Sequence, residues 1–79
     1  MSGRETAGEY VDDTTITTAV KAAIFEEPAL RTSEIGVETL QNVVQLSGFV
    51  DTYQARNRAG ELARGVSGVR NVKNALVVR

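Results

Sequence analysis

Asp12-Asp13 and Glu26-Glu27 are adjacent carboxylate pairs, the arrangement in this chain nearest to general acid–base chemistry. Both pairs fall at the ends of a helical pattern, where a cap and a solvated charge explain them without any reaction. The 79 residues include no histidine and no cysteine. The commonest general base and metal ligand are therefore missing, and so are disulfides and thiolate metal sites. A nucleophile–base pair would have to be built from lysine or a carboxylate. No glycine loop carries the lysine and Ser/Thr that cradle a phosphate, and calcium-loop spacing is missing. No catalytic residue, metal or cofactor is therefore expected. Gly65-Val66-Ser67-Gly68 matches the bare GxxG with which KH domains clamp a nucleic-acid backbone. In that module the loop joins two helices and usually carries a basic residue. Here it leads from a helix to a strand and carries Val and Ser. Nine Lys/Arg against ten Asp/Glu give a net charge of −1, with no general field to draw a polyanion. No nucleic-acid partner is expected.

Two further features point to binding rather than catalysis, and each depends on where the chain's elements put it. The composition is that of one small globular domain, with 42% hydrophobic residues, 24% charged residues and one proline. A chain this short buries only about 60% of the surface that its unfolded form exposes, so one modest core is the ceiling. The apolar runs are far shorter than a membrane span. Met1-Ser2-Gly3-Arg4-Glu5 leads into polar sequence without an apolar core, so no signal peptide is read. That pattern suits a cytoplasmic chain or one whose targeting segment has been removed.

Residues 1–9 are small and polar and read as a flexible tail; residues 10–79 read as a single domain. Tyr10 and Val11 suit a staple over the helix that follows. Asp12-Asp13-Thr14 is a helix start, because a carboxylate there accepts a backbone N–H and complements the helix dipole. The spacing predicts a helix over about residues 14–26. Ile16, Ala19, Val20, Ala23 and Ile24 form one stripe, whereas Thr18, Lys21, Ala22 and Phe25 lie away from it. Pro28 stops the helix, and Leu30 is placed to plug the core from the loop. Phe25 is the first binding feature. Either the helix frays at Glu26-Glu27 and Phe25 folds back, or it stands exposed beside Lys21, suited to a membrane interface or a partner.

Glu34-Ile35-Gly36-Val37-Glu38-Thr39-Leu40 alternates as a strand, with Ile35, Val37 and Thr39 on one face. Gln41-Asn42 is a tight turn, with Asn42 able to take the left-handed conformation. Val43-Val44-Gln45-Leu46-Ser47-Gly48-Phe49-Val50 is the densest β-forming run, with Val44, Leu46 and Val50 on one face. Gly48 suggests a bulge or a close approach of another backbone. Asp51-Thr52 caps a second helix whose stripe is Ala55, Ala59, Leu62, Ala63 and Val66. That stripe is mostly alanine, so the helix can lie close to the sheet. Arg56, Arg58 and Arg64 are spread around it, as on a solvated surface. Glycine in the 65–68 stretch caps its end. Residues 71–79 then read as one strand, with Val72, Asn74, Leu76 and Val78 sharing a parity. A buried Asn74 needs partners for its amide, and neighbouring backbone is the best source.

The predicted fold is α+β, in the order helix-strand-strand-helix-strand. The second helix is a crossover, which makes the strands it joins parallel if they are neighbours. A three-stranded mixed sheet with two helices packed on one face follows. The other face carries Leu40, Val43, Phe49 and Val77 among Glu38, Gln45, Ser47 and Lys73. Phe49 is the second binding feature. A contiguous patch there would imply tail docking, self-association or a partner, whereas scattered residues would be an ordinary mixed surface.

The ordered set of elements resembles the BON domain, named for bacterial osmotically inducible and nodulation proteins. The residues that carry the resemblance are Asp13, Ile16 and Val20-Lys21, then the 43–50 run, then Gly68-Val69-Arg70-Asn71-Val72-Lys73-Asn74-Ala75-Leu76-Val77-Val78. It covers about residues 10–79. Asn42 stands where the family usually has glycine, and it tolerates the same conformation. The resemblance implies a non-catalytic module of bacterial envelope and periplasmic proteins, with Gly48 and Gly68 as structural positions and no catalytic residues to carry over. It implies a periplasmic location and association with phospholipid or a membrane surface, linked to osmotic or envelope stress. The Gly-Glu-Tyr-Val-Asp-Asp lead-in is similar to the start of mature periplasmic members. The alternative is a protein–protein interaction or structural module, using the exposed sheet face against another envelope protein. Lys21, Phe25 and Phe49 are the candidate membrane or partner contacts. One lysine contributes about 1 kcal/mol toward an anionic surface, and Glu26-Glu27 oppose it, so lipid attraction through this helix alone is expected to be weak.

Overall fold

The computed structural model describes residues 12–79, so the 1–9 tail and the Tyr10-Val11 staple lie outside the described residues. Its elements are α1 (Asp13–Phe25), a 3-10 turn (Pro28–Leu30), β1 (Glu34–Leu40), β2 (Val43–Val50), α2 (Tyr53–Arg64), β3 (Asn71–Asn74) and β4 (Val77–Val78). The predicted α+β order holds, with both helices on one face of a mixed sheet. β2 is the central strand, antiparallel to β1 and parallel to β3 and β4. α1 packs on β1, and α2 packs on β2 and β3.

Each helix starts where the capping chemistry puts it. The Asp12 carboxylate accepts the Thr15 N–H at 2.8 Å, and Thr52 Oγ1 accepts the Ala55 N–H at 3.0 Å. The bond from Thr15 holds the Asp12 carboxyl below its ordinary pKa. α1 ends before Pro28, which opens the 3-10 turn, and Leu30 is buried as the plug. Ile16 and Val20 on α1 meet Val37, Val44, Leu46 and Val50 on the sheet. Each large apolar side chain so buried contributes roughly 1.5–3 kcal/mol. On α2 the close-packing stripe is Ala55, Ala59 and Ala63, all buried. Gly60 extends it: a Cβ there would stand 2.9 Å from Asn74 Nδ2.

The hairpin turn puts both Gln41 and Asn42 at positive φ (51° and 67°), the pattern of a type I′ turn. Asp13 fastens this turn to α1, accepting the Gln41 N–H at 2.8 Å and the Asn42 N–H at 2.9 Å. Gly48 is a close approach and not a bulge, since the β1–β2 register runs through it without a slip. Its φ is 116°, and a Cβ would overlap the Glu34 carbonyl oxygen.

One expectation changes. The 71–79 segment is not one strand but two, interrupted at Ala75-Leu76. The interruption lies beside Gly48, where β2 itself leaves extended geometry, and the register resumes beyond it at Phe49↔Val77. The gap is bridged by Arg56, whose guanidinium donates to the carbonyls of Asn74 (2.9 Å) and Leu76 (3.1 Å). Asn74 in turn donates to the Arg56 carbonyl at 2.8 Å, the backbone partner its half-buried amide needs. Gly65 caps α2, as the 65–68 stretch predicts, in right-handed geometry (φ −77°). The left-handed conformation falls to Gly68, at φ 94°.

Candidate functional site

Lys21, Phe25 and Phe49 do not come together. Lys21 and Phe25 stand one turn apart on the outer side of α1, whereas Phe49 is on the uncovered face of the sheet. α1 remains helical through Phe25, so the ring does not fold back. It is 91% exposed. Its neighbours are Lys21 and Ile24 on α1, Leu30 and Arg31 after it, and Ile35 and Val37 on β1. Together with Ser33 they line an open cleft of about 550 Å³. The cleft has an apolar floor and two cations on its wall.

Arg31 is the residue that sequence reasoning missed. It follows the 3-10 turn, and nothing in a helical pattern predicts which way a loop cation faces. The carboxylates are also arranged more favourably than their order in the chain suggests. Glu27 turns from the cleft to accept from Arg58 Nε at 2.9 Å and from the Ala29 N–H at 3.3 Å. Arg58 first, then the Ala29 N–H, holds the Glu27 carboxyl below its ordinary pKa. Glu26 is exposed just beyond the end of α1 and is not among the residues that line the cleft.

The uncovered sheet face carries two apolar pairs, not one patch. Leu40 and Val43 face each other at the turn end, and Phe49 lies beside Val77 at the other. Glu38, Gln45, Ser47 and Lys73 separate them, all exposed. Phe49 is 42% exposed, and the Arg79 guanidinium lies over its ring, 5.2 Å from the centroid. Among the described residues no cluster of acids is placed to hold a metal ion. No helix among them is long and apolar enough to cross a membrane.

The architecture is a two-helix layer on a mixed sheet, with an apolar cleft beside α1 and β1. The chain belongs to the BON domain family, whose profile matches residues 12–79. It is similar to osmotically-inducible protein Y of Escherichia coli strain K12, with 40% identity over 78 residues. The match covers 99% of this chain and 39% of that protein, so the chain spans about two-fifths of its relative's length.

Proposed function

We propose that this domain is a non-catalytic envelope module that rests the C-terminal end of α1 on an anionic phospholipid surface, in a role tied to osmotic stress. The observation that carries the reading is Phe25, an aromatic ring almost wholly in solvent and flanked by Lys21 and Arg31. An exposed apolar ring gains by burial at the headgroup–acyl boundary, and each cation near an anionic surface adds about 1 kcal/mol. Two cations and a ring suit reversible attachment that weakens with salt. The engagement of Glu27 with Arg58 removes part of the opposing charge. The osmotic link rests on the name of the relative, and the periplasmic location on the family resemblance.

Co-sedimentation at low salt with vesicles of phosphatidylglycerol and phosphatidylcholine tests the site. Binding should rise with the anionic fraction and fall strongly in Phe25→Ser and in Lys21→Glu/Arg31→Glu. All three residues are exposed, so the variants keep the fold. Equal binding by wild type and both variants removes the site.

The second reading, a protein-interaction module using the sheet face, is favoured by Phe49 and Val77. These form an apolar pair beneath a cation, whose removal would leave a small docking spot. Sedimentation of wild type and Phe49→Ser over a concentration range checks its self-association form, which is lost if both stay monomeric.

A further inference from the structure

β1 is an edge strand, and the direction of its unused hydrogen bonds follows from the pairing. The Ala75 N–H donates to the Leu46 carbonyl at 2.9 Å and the Arg79 N–H to that of Val50 at 3.0 Å. Even-numbered residues of β2 therefore look toward β3 and β4, and odd-numbered ones toward β1. The partners of those odd residues are Glu34, Gly36, Glu38 and Leu40. Ile35, Val37 and Thr39 direct their N–H and C=O groups away from the sheet, and none of these groups has a hydrogen-bond partner among the described residues.

Most native edges this long are blunted by a bulge, a proline, an inward charge or a covering segment. Glu34–Leu40 has no proline and no inward charge, and its pairing with β2 is regular along its whole length. Open space lies beside it instead. The cleft under Phe25 flanks one half of the edge, and a second hollow of about 710 Å³ runs from Thr17, Val37 and Thr39 at the other half onto the outer face at Val43, Gln45 and Lys73.

We propose that this edge accepts an extended segment of another protein as an added strand, one whose side chains alternate between apolar and basic. Side chains opposite Ile35, Val37 and Thr39 point to the helix layer, where Ile24 and Phe25 supply apolar wall. Those opposite Glu34, Gly36 and Glu38 point to the outer face, where neither carboxylate is in an ion pair. Gly36, between them, leaves room for a long cationic side chain. Main-chain bonds supply the affinity and the alternation supplies the selectivity. A second copy of this chain fits poorly. Two β1 edges paired about Val37 would bring Glu38 diagonally toward its own copy and Lys21 toward its own across the axis.

The test is an NMR titration of the whole chain, free of lipid, with a seven-residue peptide alternating valine and lysine. Because no lipid is present, its failure and that of the vesicle experiment are separable. Saturable shifts should centre on the amides of Ile35, Val37 and Thr39, and their hydrogen exchange should slow at least tenfold. The same peptide N-methylated at alternate backbone positions should lose those shifts. The exposed pair Glu34→Lys/Glu38→Lys should weaken binding about tenfold and prefer a valine–glutamate peptide, since like charges then face one another across the strands. The proposal is overturned by any of four outcomes: no saturation below about 1 mM peptide, shifts centred elsewhere, indifference to the charge reversal, or wild type dimerising through these amides without peptide.

Discussion

Single residues hold this fold at two points that are not equally visible in its sequence. Gly48 stood out within a β-rich run. Its positive φ and the Glu34 carbonyl now give the reason no other residue fits. Gly48→Ala combines backbone strain with a clash against main chain and should cost about 3 kcal/mol or more. A domain of this size has roughly 4–12 kcal/mol in all, so urea unfolding should show a much lower midpoint. Asp13 was legible only as part of a helix start. Its bonds to Gln41 and Asn42 span nearly thirty residues, and no local pattern encodes that. Asp13→Ala should cost about 1–2 kcal/mol, read as a melting temperature lower by roughly 4–8 °C per kcal/mol. Acid should act through two other carboxylates. Asp12 and Glu27 both have lowered folded-state pKa values, so their contribution is fully present above the unfolded carboxylate range. It is lost as pH falls through the folded values. Thermal melts from pH 7 downward should show this decline, and Asp12→Asn should flatten part of it.

Among the elements, periodicity was reliable wherever one face is buried, and silent where pairing is interrupted without a change of face. α1, β1, β2 and α2 lie within a residue or two of their predicted bounds, because alternation and helical spacing reflect burial. The gap between β3 and β4 was invisible. Val72, Asn74, Leu76 and Val78 keep one parity straight through it, since the cause lies in a different strand, at Gly48. Arg56 was read as a surface cation for the same reason: its carbonyl partners exist only once β3 and β4 are in place. Arg56→Ala should cost about 1–3 kcal/mol, because two half-buried carbonyls lose a charged donor. Arg56→Lys should recover only part of this, having no planar fork to reach both. Urea denaturation of the pair of variants checks the order.

For the whole molecule, the one-sided helix layer was legible from element order alone, and so were the residues left on the bare face. That those residues form two separated pairs depends on register, which no sequence pattern specifies between β2 and the later strands. The cleft under Phe25 was half legible: Lys21 and Phe25 follow from helical geometry, and Arg31 does not. Native-state hydrogen exchange should rank the sheet accordingly. Amides of Val44, Gln45 and Leu46, in the strand paired on both sides, should exchange slowest, and those of Ile35, Val37 and Thr39 fastest in the sheet. The central place of β2 also carries a hazard. Its antiparallel neighbour needs only a two-residue turn, whereas its parallel neighbours must be brought back across α2, a longer loop to close. Whenever β3 and β4 are loose, the chain's most β-prone run is itself an open rim, with Val44, Leu46 and Val50 bare of cover from that side. Resistance to aggregation in this domain is therefore set less by the strand that could aggregate than by the two short strands, and the arginine between them, that keep it sealed.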